Sequence, residues 1–146
     1  MQNEFSGKKA LIVGGSSGIG KATAKFLLQR GAAAVVLVGS KLKNLEQAQE
    51  QLRPFGEALT YKADIAEPQQ LAHLLSDLEN ELPEVDFLVN SAGVFLPKAF
   101  LEHTAEDYDR YHALNKGTFF ITQRVAARMV KRGSGGAIVN IGSMWA

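Results

Sequence analysis

Cysteine is absent from the 146-residue sequence, and this excludes disulfide staples, thiolate-ligated zinc and a thiol nucleophile together. Charge of one sign is also lacking. The 16 Lys and Arg residues face 15 Asp and Glu, for a net charge of +1 and no long run of either sign, so neither a nucleic-acid surface nor a polyacidic partner is expected. No apolar run reaches membrane-spanning length. The opening stretch MQNEFSGKKALIVGGSSGIG sets only four apolar residues between its lysines and its glycines, too few for a signal h-region. The expectation is a soluble cytoplasmic protein with no nucleic-acid partner and no membrane contact. His73, His103 and His112 show no ligand spacing such as His-Glu-x-x-His, so no metal site is expected, and His73 falls in a helical pattern as a solvated or half-buried residue. No internal repeat, low-complexity tract or Pro/Ser-rich linker breaks the chain, which at this length and 46% hydrophobic residues suits one domain over residues 1–146.

The sequence instead alternates short β-branched runs with longer segments of helical period. KALIV at Lys9–Val13 reads as a strand, and GIGKATAKFLLQRG as a helix stopped by Gly31. AVVLV (34–38) is a second strand. KLKNLEQAQEQLRPFG follows, with Leu42, Leu45, Ala48 and Leu52 on one helical face before Pro54 and Gly56 end it. ALTYKAD is a third strand and EPQQLAHLLSDLENEL a third helix, with Pro68 in its first turn, where a missing N–H costs nothing. VDFLVNSAG gives a fourth strand over 85–89. A long helix over about 104–132 opens with Thr104 and Asp107 at capping-box spacing, Asp replacing the usual Glu or Gln. AIVNI is the fifth strand. Both VVLV and AIVNI are near-continuously apolar, as in strands covered on both faces. The spacing predicts an α/β fold, a doubly wound parallel sheet with helices on both sides.

GGSSGIG (14–20) lies directly between the first strand and the first helix. Its spacing, G-x-x-x-G-x-G, differs from the G-x-G-x-x-G fingerprint, but the physics is alike. Glycines let the backbone turn tightly and approach a pyrophosphate, while the helix N-terminus offers free N–H groups and partial positive charge. A tight strand-to-helix turn with no ligand would also use glycines.

GGSSGIG, NSAG (90–93), NKGTFF from Asn115 and IVNIGS ending at Ser143 occur in the order and context seen in the short-chain dehydrogenase/reductase family, which the whole chain resembles. The resemblance implies a Rossmann-like sheet binding a nicotinamide dinucleotide. Gly14, Ser16, Ser17, Gly18, Ile19 and Gly20 would hold the diphosphate and adjoining ribose. Asp64 and Ile65 resemble the pair that contacts adenine, and Asn90, Ala92 and Gly93 match the motif beside the cofactor. Ser91 replaces the commoner second asparagine, a change of similar size and hydrogen-bonding capacity.

The choice of nicotinamide form is a charge question at the end of the second strand. An acid there would accept hydrogen bonds from a ribose 2′-hydroxyl and repel a 2′-phosphate. VGSKLK puts Gly39 and Ser40 where the acid could stand, followed by Lys41 and Lys43, so a phosphate would meet a hydroxyl, free amides and a cation. NADP(H) is the expected form, with NAD(H) the alternative, because lysines at the start of a surface helix are also ordinary solvated charges.

Hydride reduction of a ketone needs a proton donor for the carbonyl oxygen and a polarising hydrogen bond. The resemblance implies a Tyr acid/base, a Lys four residues later, a Ser orienting the substrate oxygen and an Asn in a water-linked relay. Ser143 matches the Ser and Asn115 the Asn. Four residues beyond Tyr61, Tyr108 and Tyr111 stand Ile65, His112 and Asn115, so the sequence holds no Tyr-x-x-x-Lys. In the family that pair lies a short distance after the Ser, and the sequence given stops three residues after Ser143. The expectation is therefore the N-terminal part of an oxidoreductase, truncated after the fifth strand and inactive alone. Its implied partners are a small carbonyl or alcohol substrate and, for the full-length protein, further copies in a homodimer or homotetramer. A non-catalytic dinucleotide-binding protein serving sensing or assembly, and a non-functional truncated product, stand as alternatives.

Overall fold

The computed structural model describes residues 3–143. Nine elements alternate through it: β1 (Lys9–Val13), α1 (Gly18–Gln29), β2 (Ala34–Gly39), α2 (Leu42–Leu52), β3 (Glu57–Lys62), α3 (Pro68–Asn80), β4 (Phe87–Asn90), α4 (Ala105–Arg132) and β5 (Ala137–Asn140). The strands form one parallel sheet in the order β3-β2-β1-β4-β5. Alternation along β1 divides its side chains between two cores. Ala10 and Ile12 pack with Leu27 and Leu28 of α1 and Leu45, Ala48 and Leu52 of α2, while Leu11 and Val13 pack with Leu74 and Leu78 of α3 and Ile121, Val125 and Met129 of α4. This is the doubly wound Rossmann-like arrangement, and β2, buried along Ala34–Val38, has the covered faces its apolar run implied.

Three local expectations are corrected. β5 is not covered on both faces: although Ile138 packs on the α4 side, Val139 is 48% exposed, and among the described residues the strand lies at the sheet's edge, paired with β4 alone. β4 begins at Phe87, two residues later than its apolar run, because Asp86 turns into the pole opposite the chain's C-terminal strand ends, where its carboxylate accepts from the Lys9 N–H at 3.0 Å and from the Lys8 and Arg132 side chains. Leu42 is 51% exposed, so the buried face of α2 is Leu45, Ala48 and Leu52.

The N-terminus of α4 is built as its sequence spacing requires. Thr104 Oγ1 accepts from the Asp107 N–H at 3.2 Å, and Asp107 Oδ2 accepts from the Thr104 N–H at 3.0 Å. At the other end Gly133, with φ of 73°, turns the chain out of the helix and donates to the Met129 and Val130 carbonyls.

Candidate functional site

In a parallel sheet all strands end at the same edge, and here the chain winds outward from β1 through β2 to β3 on one side and then crosses to β4 and β5 on the other. Ligands of such sheets bind in the crevice this reversal opens. Here it is a cleft of about 450 Å³, within the range of small-molecule sites.

The glycine turn forms its floor. The Gly14 and Gly15 N–H groups both donate to the Val38 carbonyl, at 2.8 and 3.2 Å, which folds the turn across the end of β2. Gly14 has φ of 80°, and a Cβ there would stand 2.6 Å from the Ala92 backbone nitrogen. A side chain at Gly20 would run into the Gly14 carbonyl and the Ser91 hydroxyl. Only bare backbone lets turn, helix and the segment after β4 come this close. Ser91 closes the third side, donating from its hydroxyl to the Val13 carbonyl at 2.9 Å, so the serine that replaces the commoner asparagine ties β4 to β1. The N-cap of α1, Ser17, makes no side-chain cap and the first turn holds no acid, which leaves the helix's N–H groups and dipole directed at the cleft.

Eleven residues expected to meet a cofactor line this cleft: Gly14, Ser16, Ser17, Gly18, Ile19, Ser40, Lys41, Asp64, Ile65, Ala92 and Gly93. Gly20 and Asn90 do not line it. Gly20 lies behind the turn, as its contacts require, and Asn90, 5% exposed, ends β4 by donating from Nδ2 to Asn140 Oδ1 at 2.8 Å and Thr122 Oγ1 at 2.9 Å. Ser143 and Asn115 are exposed and also outside the lining. Ser143 emerges just past β5, at the sheet edge where the cleft opens, and Asn115 follows Leu114, which does line it.

The junction of β2 and α2 forms one wall of the cleft. Ser16 Oγ lies beside Gly39, where a Cβ would be 3.2 Å from it, and Ser40, Lys41 and Asn44 complete that wall. Asp64 is the acid on the lining, and it is turned to its own loop, accepting from the Ala66 N–H at 3.0 Å. Residues that the sequence reading did not single out also line the cleft, chiefly Asn44, Arg110 and Leu114. The signal available for them was helical spacing, Arg110 and Leu114 standing i and i+4 on α4.

The loop after β4 is pinned to α4. The Leu96 N–H donates to the Tyr111 hydroxyl at 3.0 Å, and Lys98 Nζ meets Asp107 Oδ2 at 2.6 Å. The Lys98 ammonium, with the Thr104 N–H, holds the Asp107 carboxyl down to about 2. Among the described residues no group of three or more His, Asp or Glu is placed to hold a metal, and no helix is long and apolar enough to cross a membrane.

A parallel sheet with a glycine-floored cleft at its reversal point defines a Rossmann-like nucleotide-binding protein. The chain belongs to the short-chain dehydrogenase family, whose model matches residues 8–146. Carbonyl reductase family member 4 of Xenopus laevis is 34% identical over 137 residues, covering 94% of this chain and 56% of that protein. An NAD-dependent glycerol dehydrogenase of Listeria innocua is 34% identical over 137 residues, covering 93% of this chain and 52% of that protein. A solved short-chain dehydrogenase from Sphingobium yanoikuyae, in complex with NADPH, is similar at a TM-score of 0.84 and 34% identity, covering 94% of this chain and 54% of the other. The chain spans about half the length of the curated relatives it matches.

Proposed function

We propose that the protein is an NADP(H)-preferring oxidoreductase that moves a hydride between nicotinamide and a small carbonyl or secondary alcohol. The observation that carries this reading is the cleft itself, floored by bare backbone at Gly14, where a Cβ would collide with the Ala92 nitrogen. The residues present fit a dinucleotide: the glycine turn and the open start of α1 take the diphosphate, and Asp64 and Ile65 take the adenine. Ser16, Ser40 and Lys41 give a 2′-phosphate two hydroxyls and a cation, which favours NADP(H) over NAD(H). When bound, the nicotinamide supplies or accepts the hydride. Ser143 orients the substrate oxygen by hydrogen bonding, and Asn115 holds a water that passes protons. The same reading includes a homodimer or homotetramer, which the exposed Phe119 and Val130 of α4 support at 61% and 81% exposure.

The 146 residues hold no Tyr-x-x-x-Lys, so this chain binds the nucleotide without turning over a ketone. A reading frame that continues into Tyr-x-x-x-Lys supports the oxidoreductase reading, and a longer frame without it supports a non-catalytic dinucleotide-binding protein instead. Titration of the chain with NADPH and NADH, followed by NADPH oxidation assays over a panel of ketones, tests both claims. Saturable binding that is tighter for NADPH, with no ketone-dependent oxidation, is expected. Failure to bind either nucleotide overturns the cofactor reading, and measurable turnover overturns the role given to the missing acid.

A further inference from the structure

Arg110 lines the cleft, and none of the roles assigned to the dinucleotide site uses it. Its position follows from how α4 is seated. At Gly117 the helix presses against the loop after β3 so closely that a Cβ would collide with the Ile65 carbonyl oxygen. Leu114 and then Arg110 follow on the same side toward the helix's start. Seven residues at 1.5 Å each carry Arg110 about 10 Å above that contact, past the level of Ile65 and toward the open mouth.

Below it the walls are apolar. Ile65 is 4% exposed, Leu114 is half-buried, and with Ala66 and Ala92 they give this part of the cleft lining an apolar surface of the kind a flat base packs against. Arg110 itself is exposed and, among the described residues, has no hydrogen-bond or ion-pair partner, although Glu106 stands four residues earlier at the spacing surface pairs use. A guanidinium is planar, weakly hydrated and stacks on aromatic faces, which an ammonium does poorly.

We infer that Arg110 is a positioning residue that closes the outer side of the adenine slot, its guanidinium plane covering the base held between Ile65 and Leu114. This rests on the dinucleotide reading proposed above. The test titrates the 146-residue chain, Arg110→Ala and Arg110→Lys with NADPH and with 2′-phospho-ADP-ribose, which keeps the adenosine half and lacks nicotinamide. Arg110→Ala weakens both ligands by the same factor, roughly 2- to 30-fold, the span from an exposed to a desolvated cation–π contact. Arg110→Lys recovers only part of the loss, and the melting temperatures of all three proteins agree, since Arg110 holds no partner in the fold. Unchanged affinity in Arg110→Ala, full recovery by lysine, or a loss confined to NADPH overturns the inference while leaving the dinucleotide reading in place. No binding of NADPH by the unaltered chain overturns both.

Discussion

Lys41 stands where β2 hands over to α2, on the cleft wall with Ser16 and Ser40, and its charge is the largest difference a 2′-phosphate and a 2′-hydroxyl would meet there. Lys41→Glu is expected to shrink the preference for NADPH over NADH by roughly tenfold or more, about 1.4 kcal/mol per decade, measured as the ratio of the two dissociation constants. A ratio that does not move removes Lys41 from the site. At Gly20 two effects compete. Alanine is the better helix former by about 1 kcal/mol, yet its Cβ would meet the Gly14 carbonyl, and overpacking against backbone costs about 1–3 kcal/mol. The collision wins, so Gly20→Ala is expected to melt several degrees lower and to bind NADPH at least tenfold more weakly; equal melting with full binding would show that the turn can shift. Of the cleft lining, the part legible in the sequence was the part carried by short contiguous motifs at the strand ends, the glycine turn and the pairs Ser40–Lys41, Asp64–Ile65 and Ala92–Gly93. Arg110, Leu114 and Asn44 arrive from helices, where an exposed arginine or a half-buried leucine has the same pattern whether it faces a ligand or water.

Among the elements, α4 shows how much a helix end controls. Its capping box leaves Asp107 accepting from Thr104 while it also pairs with Lys98, so one carboxylate both starts the helix and anchors the loop after β4. The carboxyl lies at about 2 in the fold, against an ordinary unfolded value of about 3.9, and a depressed carboxyl stabilises the fold above the unfolded value and loses that contribution as pH falls through the folded one. Asp107→Asn is therefore expected to melt below the parent at pH 6, with the gap closing between about pH 4 and 2. Thermal melts followed by circular dichroism check this, and a gap that stays constant with pH removes the carboxylate's charge as the cause. The helices were legible in outline because their caps and periods are local. β5 was legible as a strand but its burial was not, since an apolar run of four or five residues looks the same in a strand buried on both faces and in one at the rim. Burial there is decided by partners distant in sequence.

The whole sheet, in the order β3-β2-β1-β4-β5, has two rims within the described residues, and they differ in chemistry. β3 carries exposed Glu57 and Lys62 at its ends, charges of the kind that discourage strand addition. β5, Ala137–Asn140, carries no charge, and Val139 and Ile141 are 48% and 40% exposed beside its unpaired flank. A neutral apolar edge invites another strand, whereas association through α4 would use Phe119 and leave the rim alone. The 146-residue chain is accordingly expected to self-associate with rising concentration in sedimentation velocity. Val139→Lys, a change at a half-exposed side chain that costs the fold little, should shift that equilibrium at least severalfold toward monomer. Phe119→Glu should leave the component carried by β5 in place. A chain that stays monomeric at every concentration would show that the rim is protected, and association abolished by Phe119→Glu but untouched by Val139→Lys would place the contact on the helix instead.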